Sequence, residues 1–174
     1  MNNQESGCIT SCIKLLIALG IVSLIVLLLE LPSTLSFFNS RKKIEAEAEA
    51  KQYLYSMNKA QQAYYAKNSV FSNSSADLEI DLKSETTNNY RYSISVTKEA
   101  VFNDAFPKNN AFKSYTGGVF RVSHQNLYAK APANEKTSIT IICESEKRGI
   151  IKPQLPKLEK GYPVCGKGTK EVTK

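Results

Sequence analysis

The cysteines have the most chemistry open to them in this sequence, and they form two separate pairs. A disulfide between Cys143 and Cys165 would close a loop of about 22 residues and would stabilise the fold by roughly 3 kcal/mol. It requires a location outside the cytoplasm, and two unrelated thiols are the alternative. Cys8 and Cys12 match no metal-binding spacing, so we interpret them as small apolar residues of a helix.

Other residues that could support catalysis or metal binding are sparse. His124 is the one histidine of the sequence, which excludes a metal site built from several histidines. There is no GxSxG nucleophile motif and no glycine-rich phosphate or dinucleotide pattern. Asp77, Glu79 and Asp81 alternate with apolar residues, so a strand could present them to a cation, although a solvated edge is favoured. We therefore predict neither an enzyme nor a cofactor.

Positive charge is concentrated after residue 40. Residues 41–174 hold 22 Lys and Arg against 14 Asp and Glu, a net charge of +8. Such a surface attracts polyanions over a long range. The candidate contacts for DNA or an acidic polysaccharide are Lys147, Arg148, Lys152, Lys157 and Lys160. A solvated, Lys-rich tail is the alternative interpretation.

The first element that the hydrophobic pattern predicts is an apolar helix. Residues 15–29 carry no charge, and twelve of the fifteen are Leu, Ile or Val. Extended to 13–31, the segment spans about 28 Å as a helix, close to the ~30 Å hydrocarbon layer of a membrane. No polar face interrupts it, which favours a membrane span over a buried core helix. We predict a leader over 1–12 and a transmembrane helix over 13–31, retained because no signal-peptidase site follows it.

An amphipathic helix is predicted over 32–67, after Pro32 ends or kinks the apolar helix. Apolar residues repeat at steps of three and four, which favours packing against a globular body, with a coiled coil as the alternative. This predicted apolar face comprises Ala46, Ala50, Tyr53, Met57, Ala60 and Tyr64. The predicted polar face comprises Lys51, Asn58, Lys59 and Gln62.

Strand patterns follow in the remaining domain, 68–174. Period-two alternation predicts a strand over 90–96, and apolar runs predict strands over 119–122 and 139–143, with a short one at 127–129. Residues from 147 onward are predicted to be a loop tail unless the disulfide pins them. A helix followed by strands indicates an α+β fold, in which a small antiparallel sheet packs on the amphipathic half of a long N-terminal helix.

These features resemble type IV pilins and pseudopilins, in which a short leader ending in glycine precedes an apolar helix, an amphipathic helix and a small sheet. The sequence is similar in particular to the cyanobacterial type IV pilin-like G/H family, over about residues 7–174. The segments that carry the resemblance are 53–65 (YLYSMNKAQQAYY), 89–94 (NYRYSI), 114–120 (SYTGGVF), 142–145 (ICES) and 165–172 (CGKGTKEV).

The resemblance implies a topology and a processing step. The N-terminus would lie in the cytoplasm and the body outside, and a prepilin peptidase would cut after Gly7 to leave Cys8 as the new N-terminus. At the position of Cys12, pilins usually carry a glutamate that neutralises the terminal amine of a neighbouring subunit. Because an uncompensated amine among apolar helices costs several kcal/mol, we expect weak or no cleavage at Gly7.

The function that the resemblance implies is structural. The protein would be a minor pilin or pseudopilin of a surface filament or secretion apparatus, anchored by one span in the inner membrane. Its partners would be membrane lipid, other pilin-like subunits and an inner-membrane assembly platform. The alternative is a membrane-tethered extracytoplasmic module that binds DNA or acidic polysaccharide through its basic residues.

The orientation of the span has signals of both signs. Arg41, Lys42 and Lys43 follow it directly, and the positive-inside rule alone would keep the body in the cytoplasm. A long translocated domain can override flanking charge. The predicted disulfide and the resemblance both favour a body outside.

Overall fold

The computed structural model describes residues 3–80, 87–132 and 134–172, and their side chains apart from those of 3–12 and 28–35. Within these residues one α-helix is followed by seven strands, with a 3-10 helix between the third and the fourth. The elements are α1 (Asn3–Asn68), β1 (Tyr90–Val96), β2 (Ala100–Pro107), β3 (Lys113–Ser123), the 3-10 helix (His124–Asn126), β4 (Lys136–Arg148), β5 (Lys157–Glu159), β6 (Tyr162–Val164) and β7 (Thr169–Glu171). The chain divides into two compact units, Met1–Lys42 and Lys43–Lys174.

The first unit consists of the N-terminal part of α1. Its large apolar side chains from Ile13 to Leu27 are 49–68 % exposed. The helix continues through Pro32, so the prediction that Pro32 ends it is wrong. A proline removes one backbone donor, and a long helix keeps its remaining hydrogen bonds on either side of that gap.

The second unit is built on a five-stranded sheet of order β1-β2-β3-β4-β7, in which all neighbours are antiparallel. A tight turn closes the β1–β2 hairpin, with the Thr97 N–H donating to the Ala100 carbonyl at 2.7 Å. Tyr115 of β3 lies between Ala105 of β2 and Glu144 of β4. The predicted α+β class with an antiparallel sheet is confirmed.

Helix α1 packs on one face of this sheet through a stripe of buried side chains. The stripe comprises Ala46, Ala50, Leu54, Met57, Asn58, Gln61 and Tyr65. The predicted apolar face shares Ala46, Ala50 and Met57 with it, whereas Tyr53, Ala60 and Tyr64 are only half-buried. The stripe departs from the predicted face because it includes two polar side chains that are satisfied within the protein.

Asn58 is the first of these polar side chains, and its predicted place on the polar face is wrong. It is 1 % exposed. Its amide nitrogen donates to Thr140 Oγ1 at 2.6 Å and to the Ile141 carbonyl at 3.2 Å, and its amide oxygen accepts from Asn103 Nδ2 at 2.8 Å. Hydrogen bonds of this kind offset the cost of burying an amide, so α1 carries a polar residue into the sheet interface.

Gln61 is the second, and it fixes the segment that follows α1. Its side chain donates to the Ser72 carbonyl at 2.6 Å and accepts from the Ser72 N–H at 3.1 Å. Beyond this clasp the chain forms turns over residues 75–79, with Leu78 buried. The strand-like alternation predicted around Asp77 and Glu79 is therefore wrong, while Asp81 lies outside the described residues.

The face of the sheet opposite α1 is covered by residues 149–168, which we call the strap. It contains β5 and β6, and its Pro156 lies against Gly118 of β3. Beneath it is a cluster of buried residues formed by Ala100, Phe102, Phe120, Val122, Ile141 and Cys143. The loop tail predicted from 147 onward is thus pinned to the sheet, and β7 extends the sheet by pairing with β4.

Three of the predicted strands are confirmed by β1, β3 and β4. The strand predicted at 127–129 is wrong, since the N–H groups of Leu127 and Tyr128 both donate to the His124 carbonyl in a tight turn. Strand β2 was not predicted from the sequence because Asn103 and Asp104 interrupt its apolar residues.

Candidate functional site

The strap is held to the sheet by a disulfide between Cys143 of β4 and Cys165. The two Cα atoms are 5.7 Å apart, and Cys143 is fully buried. Residues alternate between the faces of a strand, which places Cys143 on the strap side next to Thr116 of β3. The predicted disulfide is confirmed.

Hydrogen bonds attach the beginning of the strap to the β2–β3 loop and to β3. The Gly149 N–H donates to the Phe112 carbonyl at 2.9 Å. The Ser114 hydroxyl donates to the Ile151 carbonyl at 2.5 Å. These bonds fix the path of the chain as it leaves β4.

A buried carboxyl group lies on the strap side of the sheet. Asp104 of β2 is 4 % exposed and stands opposite Thr116 of β3. Burial raises the pKa of Asp104, although a hydrogen bond from Thr116 and the charge of Lys152 in the strap lower it in part. The carboxyl therefore keeps its proton to a higher pH than an exposed aspartate does.

Two further acids bind cations where α1 enters the second unit. Glu47 of α1 accepts from the Lys113 N–H at 3.2 Å and lies 3.3 Å from the Arg148 guanidinium. Glu144 of β4 lies 2.6 Å from Lys113 Nζ and 3.3 Å from Lys170 Nζ. Burial alone would raise the pKa of Glu144, but the hydrogen bonds and charges of the two lysines hold it below its usual value.

Four tyrosines form the centre of the α1–sheet core. Rings of Tyr53 and Tyr92 are 4.2 Å apart, and Tyr90 is in contact with Tyr92 and Tyr115 at 6.4 and 6.2 Å between centroids. Burial raises the pKa of Tyr92 to about 12, and it also raises those of Tyr90 and Tyr115. These hydroxyls remain protonated at neutral pH, and their role is packing and hydrogen bonding.

A groove of about 460 Å³ runs between α1 and the outer edge of β4, just past the end of β7. Its walls include Tyr55, Lys59 and Gln62 from α1, and Thr140 and Glu171 from the sheet. Gln62 donates to the Ser138 carbonyl at 3.1 Å, which occupies part of the exposed edge of β4.

The residues considered for metal or catalytic chemistry are separated in the structure. His124 Nδ1 lies 2.9 Å from Glu135, and Asp77 accepts from the Ser72 hydroxyl at 2.8 Å. In the part of the chain that the structure describes, no group of three His, Cys, Asp or Glu side chains is placed to hold a metal ion.

The sequence model of the family "type IV pilin-like G and H" matches residues 47–166. The chain belongs to this family. The match covers well over half of the chain, from the part of α1 that packs on the sheet to the end of the disulfide loop. Membership indicates a pilin-type structural subunit. Comparisons with curated proteins and with solved structures find no match.

In this pilin-like protein the five predicted polyanion contacts lie at two ends of the strap. Lys147, Arg148 and Lys152 are near the β2–β3 loop, where the Ile150 N–H donates to Asn110 Oδ1. Lys157, Lys160 and Gly161 belong to the β5–β6 hairpin, and this hairpin lies against Asn126 beyond the other end of β3.

Two of the five cations also have acidic partners. Arg148 pairs with Glu47, and Lys157 pairs with Glu159 at 2.8 Å. The five residues therefore do not converge on one surface, and binding of DNA or polysaccharide stays a prediction.

The predicted processing site lies in the first unit. Gly7, Cys8 and Cys12 are within α1, and their side chains are outside the described set. Among the described residues, no helix combines the length and the apolar character that crossing a membrane requires. Cleavage after Gly7 and the membrane anchor stay predictions.

The residues that hold the pilin-like unit together were missed by sequence reasoning. Asn58, Gln61 and Asp104 are polar and would ordinarily be assigned to the surface. Glu47 was interpreted as one member of helical ion pairs, whereas its partners are on β3 and β4. Helical spacing offered one signal, since Asn58 and Gln61 continue the three-and-four repeat from Leu54 to Tyr65.

Proposed function

We propose that this protein is a membrane-anchored minor pilin or pseudopilin, a structural subunit of a surface filament or secretion apparatus. The observation that carries the proposal is the exposed apolar surface of α1 between Ile13 and Leu27 in a chain of the type IV pilin-like family. A helix that is apolar all round can exchange lipid for the helices of sister subunits. The partners would be membrane lipid, other pilin-like subunits and an inner-membrane assembly platform.

The proposed location of the second unit is outside the cytoplasm. Disulfides persist in oxidising compartments, and Cys143–Cys165 supports such a location. The basic residues Arg41, Lys42 and Lys43 oppose it by the positive-inside rule. Labelling of Cys143 and Cys165 in intact cells, with and without reductant, tests the orientation; free thiols shielded behind the inner membrane would contradict it.

A minor rather than a major subunit is proposed because of Cys12. The centre of a filament of apolar helices has a low dielectric constant, and the amine of each processed subunit needs a carboxylate there. Cys12 cannot provide one, and Glu30 lies at the opposite end of the apolar segment. The protein would therefore join an assembly in small numbers, at its tip or in its platform, without forming the polymer itself.

Co-purification of the full-length chain from membranes of its host tests this function. We expect assembly-platform proteins and other pilin-like subunits in the eluate. Leu19→Lys and Leu24→Lys together place two charges in the apolar segment and should abolish both membrane retention and co-purification. The matched control, Lys157→Gln with Lys160→Gln, leaves that segment unchanged and should retain both. Recovery of the unaltered full-length chain in the soluble fraction without detergent would overturn the proposal.

A further inference from the structure

Residues 147–152, where β4 passes into the strap, form a loop that presents apolar and cationic side chains together. Its sequence is KRGIIK, and we call it the isoleucine loop. Ile150 is 60 % exposed and Ile151 is 42 % exposed. Lys147 and Lys152 flank them and are exposed as well. Two branched apolar residues in this setting leave apolar area in water that a partner could bury.

The exposure of the two isoleucines is built into the backbone of the loop. The Ile150 N–H donates to Asn110 Oδ1 at 3.1 Å, and the Ile151 carbonyl accepts from the Ser114 hydroxyl at 2.5 Å. Gly149 adopts φ +137°, which suits glycine, and sets the direction of the chain between β4 and Ile150. The loop is therefore held with its apolar side chains outward before any partner binds.

The place of the loop in the second unit indicates what this partner is. Arg148 reaches Glu47 of α1, and the second unit begins only four residues earlier, at Lys43. The isoleucine loop thus lies at the end of the unit through which the chain arrives from the apolar residues 15–29. If those residues are in a bilayer, as the proposed function requires, a lipid surface is the nearest large partner for this end.

We propose that the isoleucine loop binds an anionic lipid surface. Ile150 and Ile151 would enter the boundary between headgroups and acyl chains, while Lys147 and Lys152 would bind the phosphates of anionic lipids. A nucleic acid fits less well, because single-stranded bases bind by stacking on planar side chains and the loop offers two branched aliphatic ones. This inference rests on the membrane anchoring in the proposed function, and it assigns the loop as a second lipid contact.

The absence of tryptophan from the sequence permits a direct test. Full-length Ile150→Trp is reconstituted into phosphatidylcholine vesicles with and without phosphatidylglycerol, the lipids being brominated on their acyl chains. We expect quenching and a blue shift of the tryptophan emission in the anionic vesicles. Tyr128→Trp is the matched control, because Tyr128 is 64 % exposed beyond the other end of β3, and its emission should not be quenched. Ile151→Trp serves as a second probe if Ile150→Trp fails to fold.

Charge variants separate loop binding from general attraction. Lys147→Gln with Lys152→Gln should remove the quenching of the tryptophan at position 150. Lys157→Gln with Lys160→Gln removes the same charge from the β5–β6 hairpin and should leave the quenching unchanged. Equal quenching at positions 150 and 128, or an equal effect of the two double substitutions, would overturn the inference.

Failure of the anchor and failure of the loop contact give different results. Flotation of the unaltered chain with neutral vesicles after a carbonate wash measures the anchor alone. A chain that does not float contradicts the proposed function. A chain that floats, yet whose tryptophan at position 150 remains unquenched in anionic vesicles, contradicts only the lipid contact of the isoleucine loop.

Discussion

Asn58 of α1 occupies the space that a side chain on Gly117 of β3 would need. A Cβ atom on Gly117 would lie 2.6 Å from Asn58 Oδ1 and 2.9 Å from Asn58 Nδ2. Asn58 cannot turn away freely, because Thr140, Ile141 and Asn103 hold both ends of its amide. The missing side chain in the sheet and the buried polar residue in the helix are two parts of one contact.

Gly117→Ala should therefore destabilise the protein. In a strand, alanine is ordinarily better than glycine by roughly 0.5–1 kcal/mol, but overpacking against the fixed amide should cost about 1–3 kcal/mol. Chemical denaturation measures the free energy of unfolding. In an Asn58→Ala background the same substitution should cost much less, since the clashing atoms are gone. An equal cost in both backgrounds would show that Asn58 is not the cause.

Gln61→Ala should loosen the segment between α1 and β1. Both bonds of the clasp to Ser72 are buried, and leaving the Ser72 N–H and carbonyl unpaired should cost about 1–3 kcal/mol. Hydrogen exchange at the Ser72 amide should accelerate. Gln62→Ala is the matched control, because Gln62 is half-buried and donates one printed bond, to Ser138, so the Ser72 amide should stay protected. Similar exchange in the two variants would contradict the clasp.

The outline of the fold is readable from the sequence because each element leaves its own pattern. Alternation from Tyr90 to Val96 predicts β1 with the observed bounds, and the apolar run before Cys143 predicts part of β4. Strand β2 leaves no such pattern, since it is buried on both faces and two of its inward residues are Asn103 and Asp104. Long-range hydrogen bonds satisfy Asn103, and no local pattern contains them.

The candidate sites divide in the same way. The spacing of Cys143 and Cys165 allows a disulfide, and the structure confirms it. The basic residues near the C-terminus are evident in composition, but composition does not show that the strap separates Lys147 from Lys160 by the length of β3. Their division into two groups follows from the path of the strap across the sheet, which depends on contacts distant in sequence.

Removing the disulfide should release the strap without unfolding the sheet. Cys143→Ser with Cys165→Ser opens a loop with a sequence separation of 22 residues, and the loss should be roughly 3 kcal/mol. Trypsin should then cut the strap early, at Lys152, Lys157 or Lys160, and mass spectrometry identifies the sites. Cys8→Ser with Cys12→Ser is the control and should leave the strap resistant. Equal resistance in the two variants would contradict a role for the disulfide in holding the strap.

N-terminal sequencing of the protein from its host should give Met1 or a mixture dominated by it. This follows from the absence of a carboxylate at Cys12. Cys12→Glu should increase incorporation into any filament, since the new carboxylate can neutralise a neighbour's terminal amine. Cys12→Ser, which adds no charge, should not. Sequencing that begins at Cys8 in the unaltered protein would contradict the expectation of weak processing.

Asp104 and Glu144 should give the stability of the protein two pH dependences of opposite sign. Burial raises the pKa of Asp104 above its ordinary 3.8, so the folded state binds this proton more tightly than the unfolded state does. Its stabilising contribution is complete at low pH and is lost as the pH rises through the folded-state pKa. Asp104→Asn stays neutral, and its stability relative to the unaltered protein should therefore increase from about pH 4 toward pH 7.

Glu144 behaves in the opposite way because Lys113 and Lys170 hold its pKa below the ordinary 4.5 despite its burial. Its contribution is present at neutral pH and is lost as the pH falls through the folded-state pKa. Glu144→Gln should cost roughly 1.5–3 kcal/mol at pH 7, and the loss should shrink in acid. Denaturant titrations of both variants between pH 3 and 8 measure the two slopes. Parallel curves for the variants and the unaltered protein would mean that neither carboxyl group has a shifted pKa in the folded state.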